Sequence, residues 1–147
     1  MNTAKRFIFF IVCMQSLLLS AEADAFFRDD AKEVVIDKKR NLMWQDDSAA
    51  SSTEQSYAEA IAHCENLDLA GYTDWYLPRV NELKSIVKAE KYPRSIVKAF
   101  QNVYADYYWS STEYSSELAW IVLFNYEEVT YDHKSDPSYV RCVRKLQ

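Results

Sequence analysis

The chain has 147 residues, with 17 Lys plus Arg against 22 Asp plus Glu and a formal net charge of −5 at pH 7. That excess of carboxylates excludes the broad basic footprint that phosphate backbones require, so nucleic acid is not an expected partner. Once an N-terminal export signal is set aside, about 120 residues remain, enough for one core and too few for two ordinary domains.

The signal is read over residues 1–23. Lys5 and Arg6 precede a nearly uninterrupted apolar run from Phe7 to Leu19, and Ser20 to Ala25 supplies small residues for cleavage near positions 23–25. The run is too short for a comfortable bilayer span, so no integral span is expected in the mature chain. A single mature domain over residues 26–147 follows, with the periplasm or the exterior as its destination. No cysteine follows the small residues, which gives no reason to expect a lipid anchor. Cys13 leaves with the signal, and Cys64 and Cys142 remain. An oxidising compartment permits one pairing between them, and closing so long a loop contributes about 4.5 kcal/mol in the chain-entropy treatment. Two separate buried thiols are the alternative.

In chain order, Val34 to Ile36 and Leu42 to Gln45 read as strands around a polar turn, with Asn41 in the left-handed region. Asp46 to Ser52 reads as a polar loop. Ser51 and Glu54 stand at capping-box spacing, and Tyr57, Ala60, Ile61, Cys64 and Leu67 form a helical stripe that turns Cys64 inward. His63 falls off that stripe and is expected to be exposed; it shares no metal-ligand spacing with His133. Gly71, the only glycine, is placed at the end of this region. Trp75 and Leu77 then drive a connector into the core, Asp74 is assigned to backbone hydrogen bonds, and Pro78 leads into a second helix marked by Val80, Leu83, Ile86 and Val87. Tyr92-Pro93 breaks it, and Ser95 to Phe100 suggests a short third helix.

The last third changes period. Tyr107 to Thr112, Leu118 to Phe124, Glu128 to His133 and Tyr139 to Lys145 read as strands, with Asn125 to Glu127 as a turn. Trp109 and Trp120 are assigned to the core. The order of strands, helices and strands predicts an α+β domain, two main helices on a twisted, mostly antiparallel sheet. No carboxylate pair has the spacing of a general acid and base, and one glycine leaves no nucleophile elbow or phosphate loop. No metal site, cofactor or catalytic residue is therefore expected.

Leu42-Met43-Trp44-Gln45, Ala62 to Leu67, Gly71 to Leu83, Tyr108 to Thr112 and Val140 to Arg144 together closely resemble the Lcl C-terminal domain family. This is a bacterial domain of unknown function named after a Legionella collagen-like adhesin, and the resemblance runs from about Phe26 to Arg144. It implies a C-type-lectin-like fold with the N- and C-terminal strands close together. In related folds a long disulfide joins the first helix to the last strand, which maps onto Cys64 and Cys142. The naming adhesin is associated with sulfated polysaccharide and surfaces, and the family offers no catalytic residue to carry over. Three positions depart from its pattern. Tyr76 replaces an arginine, Arg79 replaces a small hydroxyl residue that caps the second helix beside Glu82, and Asn41 replaces a turn glycine.

The functional expectation is a non-catalytic binding module for an envelope or surface protein or a glycan. Calcium-dependent sugar binding is not expected, because the Glu-Pro-Asn and Trp-Asn-Asp triplets of true lectins are missing. The candidate ligand surface is Thr112, Glu113, Tyr114 and Glu117, with Tyr126, Glu127 and Asp132 as neighbours, since rings offer stacking area and carboxylates accept hydrogen bonds. Ordinary polar loops around a packed sheet are the plainer reading of the same residues. A small structural subunit of an envelope assembly and, further off, a hydrolase are the alternatives; the oligomeric state is left open.

Overall fold

A computed structural model describes residues 25–88, 96–126 and 128–147. The signal segment, the Tyr92-Pro93 break and Glu127 lie outside the described residues. Among the described residues, nine strands and two α-helices form an α+β domain. The strands are β1 (Phe26–Asp29), β2 (Val34–Asp37), β3 (Leu42–Gln45), β4 (Glu54–Gln55), β5 (Tyr107–Glu113), β6 (Leu118–Leu123), β7 (Glu128–His133), β8 (Ser138–Tyr139) and β9 (Val143–Lys145). The helices are α1 (Tyr57–Glu65) and α2 (Val80–Lys84). One sheet runs β1-β2-β3-β9, all antiparallel, and the other β4-β8-β5-β6-β7, antiparallel except where β5 meets β8.

The β2–β3 hairpin follows from its turn chemistry. Asn41 has φ 59°, and the buried Asp37 carboxylate accepts from the Arg40 N–H at 3.1 Å. Pairing of β3 with β9 then sets Trp44 opposite Val143 and brings the two ends of the domain together. β1 is an additional strand, returned to β2 by a glycine-free turn in which Glu33 takes φ 55°.

Alternation along β6 sorts the core. Val122 and Phe124 cluster with Tyr108, Leu83 of α2, Trp44 and Phe100, whereas Ala119 and Ile121 cluster with Trp109 and with Tyr57, Ala60 and Cys64 of α1. The two helices thus cover opposite faces of the five-stranded sheet. Cys64 is bonded to Cys142, tying α1 to the C-terminal segment with Cα atoms 5.4 Å apart.

Several boundaries differ from the periodicity reading. Ser48–Ser51 is a 3₁₀ turn capped by Asp47, Glu54–Gln55 is strand rather than helix, and α1 starts after Ser56, whose N–H and hydroxyl both donate to Glu59. Gly71 does not end that helix, which stops at Glu65. With Ala70 (φ 58°), Gly71 (φ 80°) forms the centre of a tight two-residue turn between Leu69 and Tyr72, closed by hydrogen bonds of 3.1 and 3.0 Å. α2 ends at Lys84, although Ile86 and Val87 stay buried as its stripe requires. Ile96 to Phe100 makes a bridge to Val87 and a turn, not a third helix.

The final strand divides. β8 joins one sheet and β9 the other, and Val140 to Cys142 cross between them because Arg141 is buried against Asp46 at 3.0 Å. Asp46, placed by the sequence in a polar loop, is fully buried. Its carboxylate also accepts from the Gln101 and Asn102 backbone N–H groups and pairs with Arg28. Trp75 and Leu77 are buried as expected, Trp75 donating its indole N–H to the Tyr72 carbonyl at 3.0 Å. The Asp74 carboxylate takes a bond from its own backbone, as assigned, but its stronger partner is distant: it forks onto Arg144, at 2.6 and 3.0 Å, while that guanidinium lies 3.7 Å over the Tyr72 ring.

Candidate functional site

The hairpin of β5 and β6 carries most of the expected surface. Its register breaks between Trp109 and Glu113, and the buried Ser110 hydroxyl bridges the break by donating to the Trp120 carbonyl at 2.7 Å. The turn beyond is fixed from several directions. Tyr114 N–H and Ser115 N–H both reach the Leu118 carbonyl, and the Ser115 hydroxyl accepts from Leu118 N–H at 3.1 Å. Lys134 clamps the same turn. Its N–H donates to the Glu117 carbonyl at 2.9 Å, and its ammonium reaches the Ser116 carbonyl at 3.0 Å and Glu113 at 3.3 Å.

On this support stands a group of three rings. Tyr114 and Tyr131 stack with centroids 4.2 Å apart and planes 13° apart, and Trp120 meets both edge-on at 5.3 and 5.9 Å. Tyr114 is 52% exposed and Tyr131 45%. Trp120, assigned to the core, is only partly buried: Val122, on the same face, clusters with Leu83 of α2, whereas Trp120 meets the two tyrosines. Trp109, on the other face, is fully buried and donates its indole N–H to the Gln55 carbonyl at 2.8 Å. Tyr131 was missed, although hairpin register held the signal. A turn centred on Asn125 and Tyr126 sets residue 131 opposite 120, and that is the pairing found.

The other expected residues divide. Thr112 has a structural task, accepting the Val80 N–H at 3.0 Å and so capping α2 where Arg79 has no side-chain acceptor. Glu113 is engaged by Lys134, and Glu117 is exposed at the turn. Asp132 pairs in register with Ala119, on the opposite face from Tyr131, and receives the His133 N–H. Tyr126, 61% exposed, lies at the far end of the β6–β7 hairpin, about 17 Å from the stacked rings at the rise of a strand. The structure therefore does not bring it to the same surface.

A recess that sequence reasoning did not find runs beside α1 and α2. It comprises two adjoining hollows of about 440 and 430 Å³ that share Glu82 and Lys145, with Tyr57, Tyr76 and Arg79 along one and Arg40 along the other. Glu82 is fully engaged there, accepting the Tyr76 hydroxyl at 2.9 Å and the Arg79 N–H at 2.9 Å. Burial, and then the bond to Glu82, push the Tyr76 phenol well above its usual pKa. His63, expected to be exposed, is half-buried on α1. Among the described residues no group of three or more His, Cys, Asp and Glu is gathered to hold a metal, and no helix is long and apolar enough to cross a membrane.

The family model of the Lcl C-terminal domain matches residues 33–144. The chain belongs to this family. No curated protein matches it. Within the Lcl C-terminal domain, the two connector positions expected to depart from the family pattern have local partners. Tyr76 hydrogen-bonds Glu82, and α2, whose N-terminal Arg79 offers no side-chain acceptor, is capped by Thr112 from β5.

Proposed function

We propose that this chain is an exported, non-catalytic binding module whose working face is the Tyr114–Tyr131–Trp120 group at the open end of the β5–β6–β7 sheet. The observation that carries this reading is the stack itself: two half-exposed tyrosines held parallel, Tyr114 on a turn fixed by backbone bonds and Lys134 and Tyr131 on β7. Rings held in place offer contact area at little ordering cost, which suits them as anchors for an envelope or surface protein or for a glycan. The test pairs Tyr114→Ser with Tyr131→Ser, using circular dichroism to show a retained fold. Binding to purified surface proteins and to a glycan array should fall at least about tenfold, the usual weight of such anchors. Equal binding by the double variant would overturn the reading.

A second reading has one observation in its favour, the cations Arg40, Arg79 and Lys145 around the recess, which suit an acidic glycan. Under that reading Arg79→Ser with Lys145→Ser abolishes capture and the tyrosine pair does not.

A further inference from the structure

We propose that the free edge of β7, beside the tyrosine stack, takes an extended arginine- or lysine-bearing segment of a partner protein as an added strand. This rests on the binding-module reading and names its partner class. β7 is the last strand of its sheet and pairs only with β6, so among the described residues no strand meets its outer backbone groups. Edges in that state recruit extended chains unless shielded, and the commonest shield is charge.

The charge here is of one sign. Glu128 and Asp132 lie on β7, Asp136 follows it, and the β5–β6 turn carrying Glu117 meets its end through the Lys134 N–H to the Glu117 carbonyl. Lys134 is already committed to Glu113, the Ser116 carbonyl and the Tyr57 ring. Such an edge repels acidic strands and polyanions and admits a basic one. Both faces of the added strand would find complementary chemistry. Tyr131 and Val129 share the Trp120 and Val122 face, where a guanidinium stacks on the exposed tyrosine. Glu128 and Asp132 share the Ala119 and Ile121 face, where an alternate cation meets carboxylates. A six-residue edge matches the length of a typical added strand.

The experiment uses the disulfide-bonded protein and a peptide repeating arginine-arginine-threonine-threonine, which sets arginines on both faces of an extended strand. Matched probes replace each arginine by glutamate or carry backbone N-methyl groups on one or the other alternate set. Binding read by calorimetry should be salt-dependent and about tenfold weaker for Tyr131→Ala. It should be lost with one N-methyl set and kept with the other, and absent for the glutamate peptide. Equal binding of both N-methylated peptides would overturn strand addition while tyrosine dependence keeps the binding face. N-methyl discrimination without any effect of Tyr131→Ala or Tyr114→Ala would instead sink the ring face. Binding of the glutamate peptide, or a dimer of the protein alone through β7 in sedimentation, would overturn the basic partner.

Discussion

Single charges carry much of the fold. Asp46 and Arg141 are both fully buried and paired at 3.0 Å, so Asp46→Ala leaves a guanidinium without its counter-charge. The expected loss is about 3–5 kcal/mol, measured by urea unfolding. The Asp74–Arg144 pair is gentler, because the Asp74 side chain is 53% exposed and screened by water. Its hydrogen bonds to Arg144 hold the Asp74 carboxyl below its ordinary value of 3.8. The folded state thus binds this proton more weakly than the unfolded state. The resulting stability is whole above the ordinary value and disappears as pH falls through the lower folded one. Asp74→Asn should therefore melt below the wild type at neutral pH, with the gap closing at acid pH; a gap constant with pH would contradict the assignment. Neither pair was legible in the sequence. Asp46 sits among Asp, Ser and Ala that look like any loop, and its burial is decided by Arg28 and Arg141, which no local period connects to it.

At the scale of elements, Thr112 is informative because a residue expected in a ligand surface caps a helix. Thr112→Val should cost about 1 kcal/mol in chemical denaturation and Thr112→Ser should restore it, since only the oxygen matters to the Val80 N–H. Elements with strong periods were legible: the α1 stripe, the β2–β3 turn at Asn41 and the buried runs of β5 and β6. Those governed by two adjacent left-handed residues were not. Gly71 looks like a helix terminator until Ala70 is found in the same region, and no propensity favours alanine there. The final strand was read as one because its apolar period is continuous, whereas the division into β8 and β9 follows from burying Arg141 between the sheets.

Across the whole molecule, the disulfide bridges α1 to the crossing between the two sheets. Cys64→Ser with Cys142→Ser should lower stability by about 2–5 kcal/mol, and reduction of the wild type should do the same, both followed by denaturant midpoint. With that bond in place the two helices pack on each side of the five-stranded sheet, and among the described residues the end of that sheet bearing Tyr114, Tyr131 and Trp120 is exposed, with β7 as its outer strand. The sequence held the rings of Tyr114 and Trp120 in view but not their meeting with Tyr131, which needs the hairpin register. The most direct measurement is a backbone and indole amide NMR titration of the disulfide-bonded protein with the arginine–threonine peptide. The account predicts shifts confined to residues 113–120, the Trp120 indole N–H and residues 128–133. Shifts gathered instead around Arg40, Arg79 and Lys145, with the Trp120 indole unmoved, would contradict it.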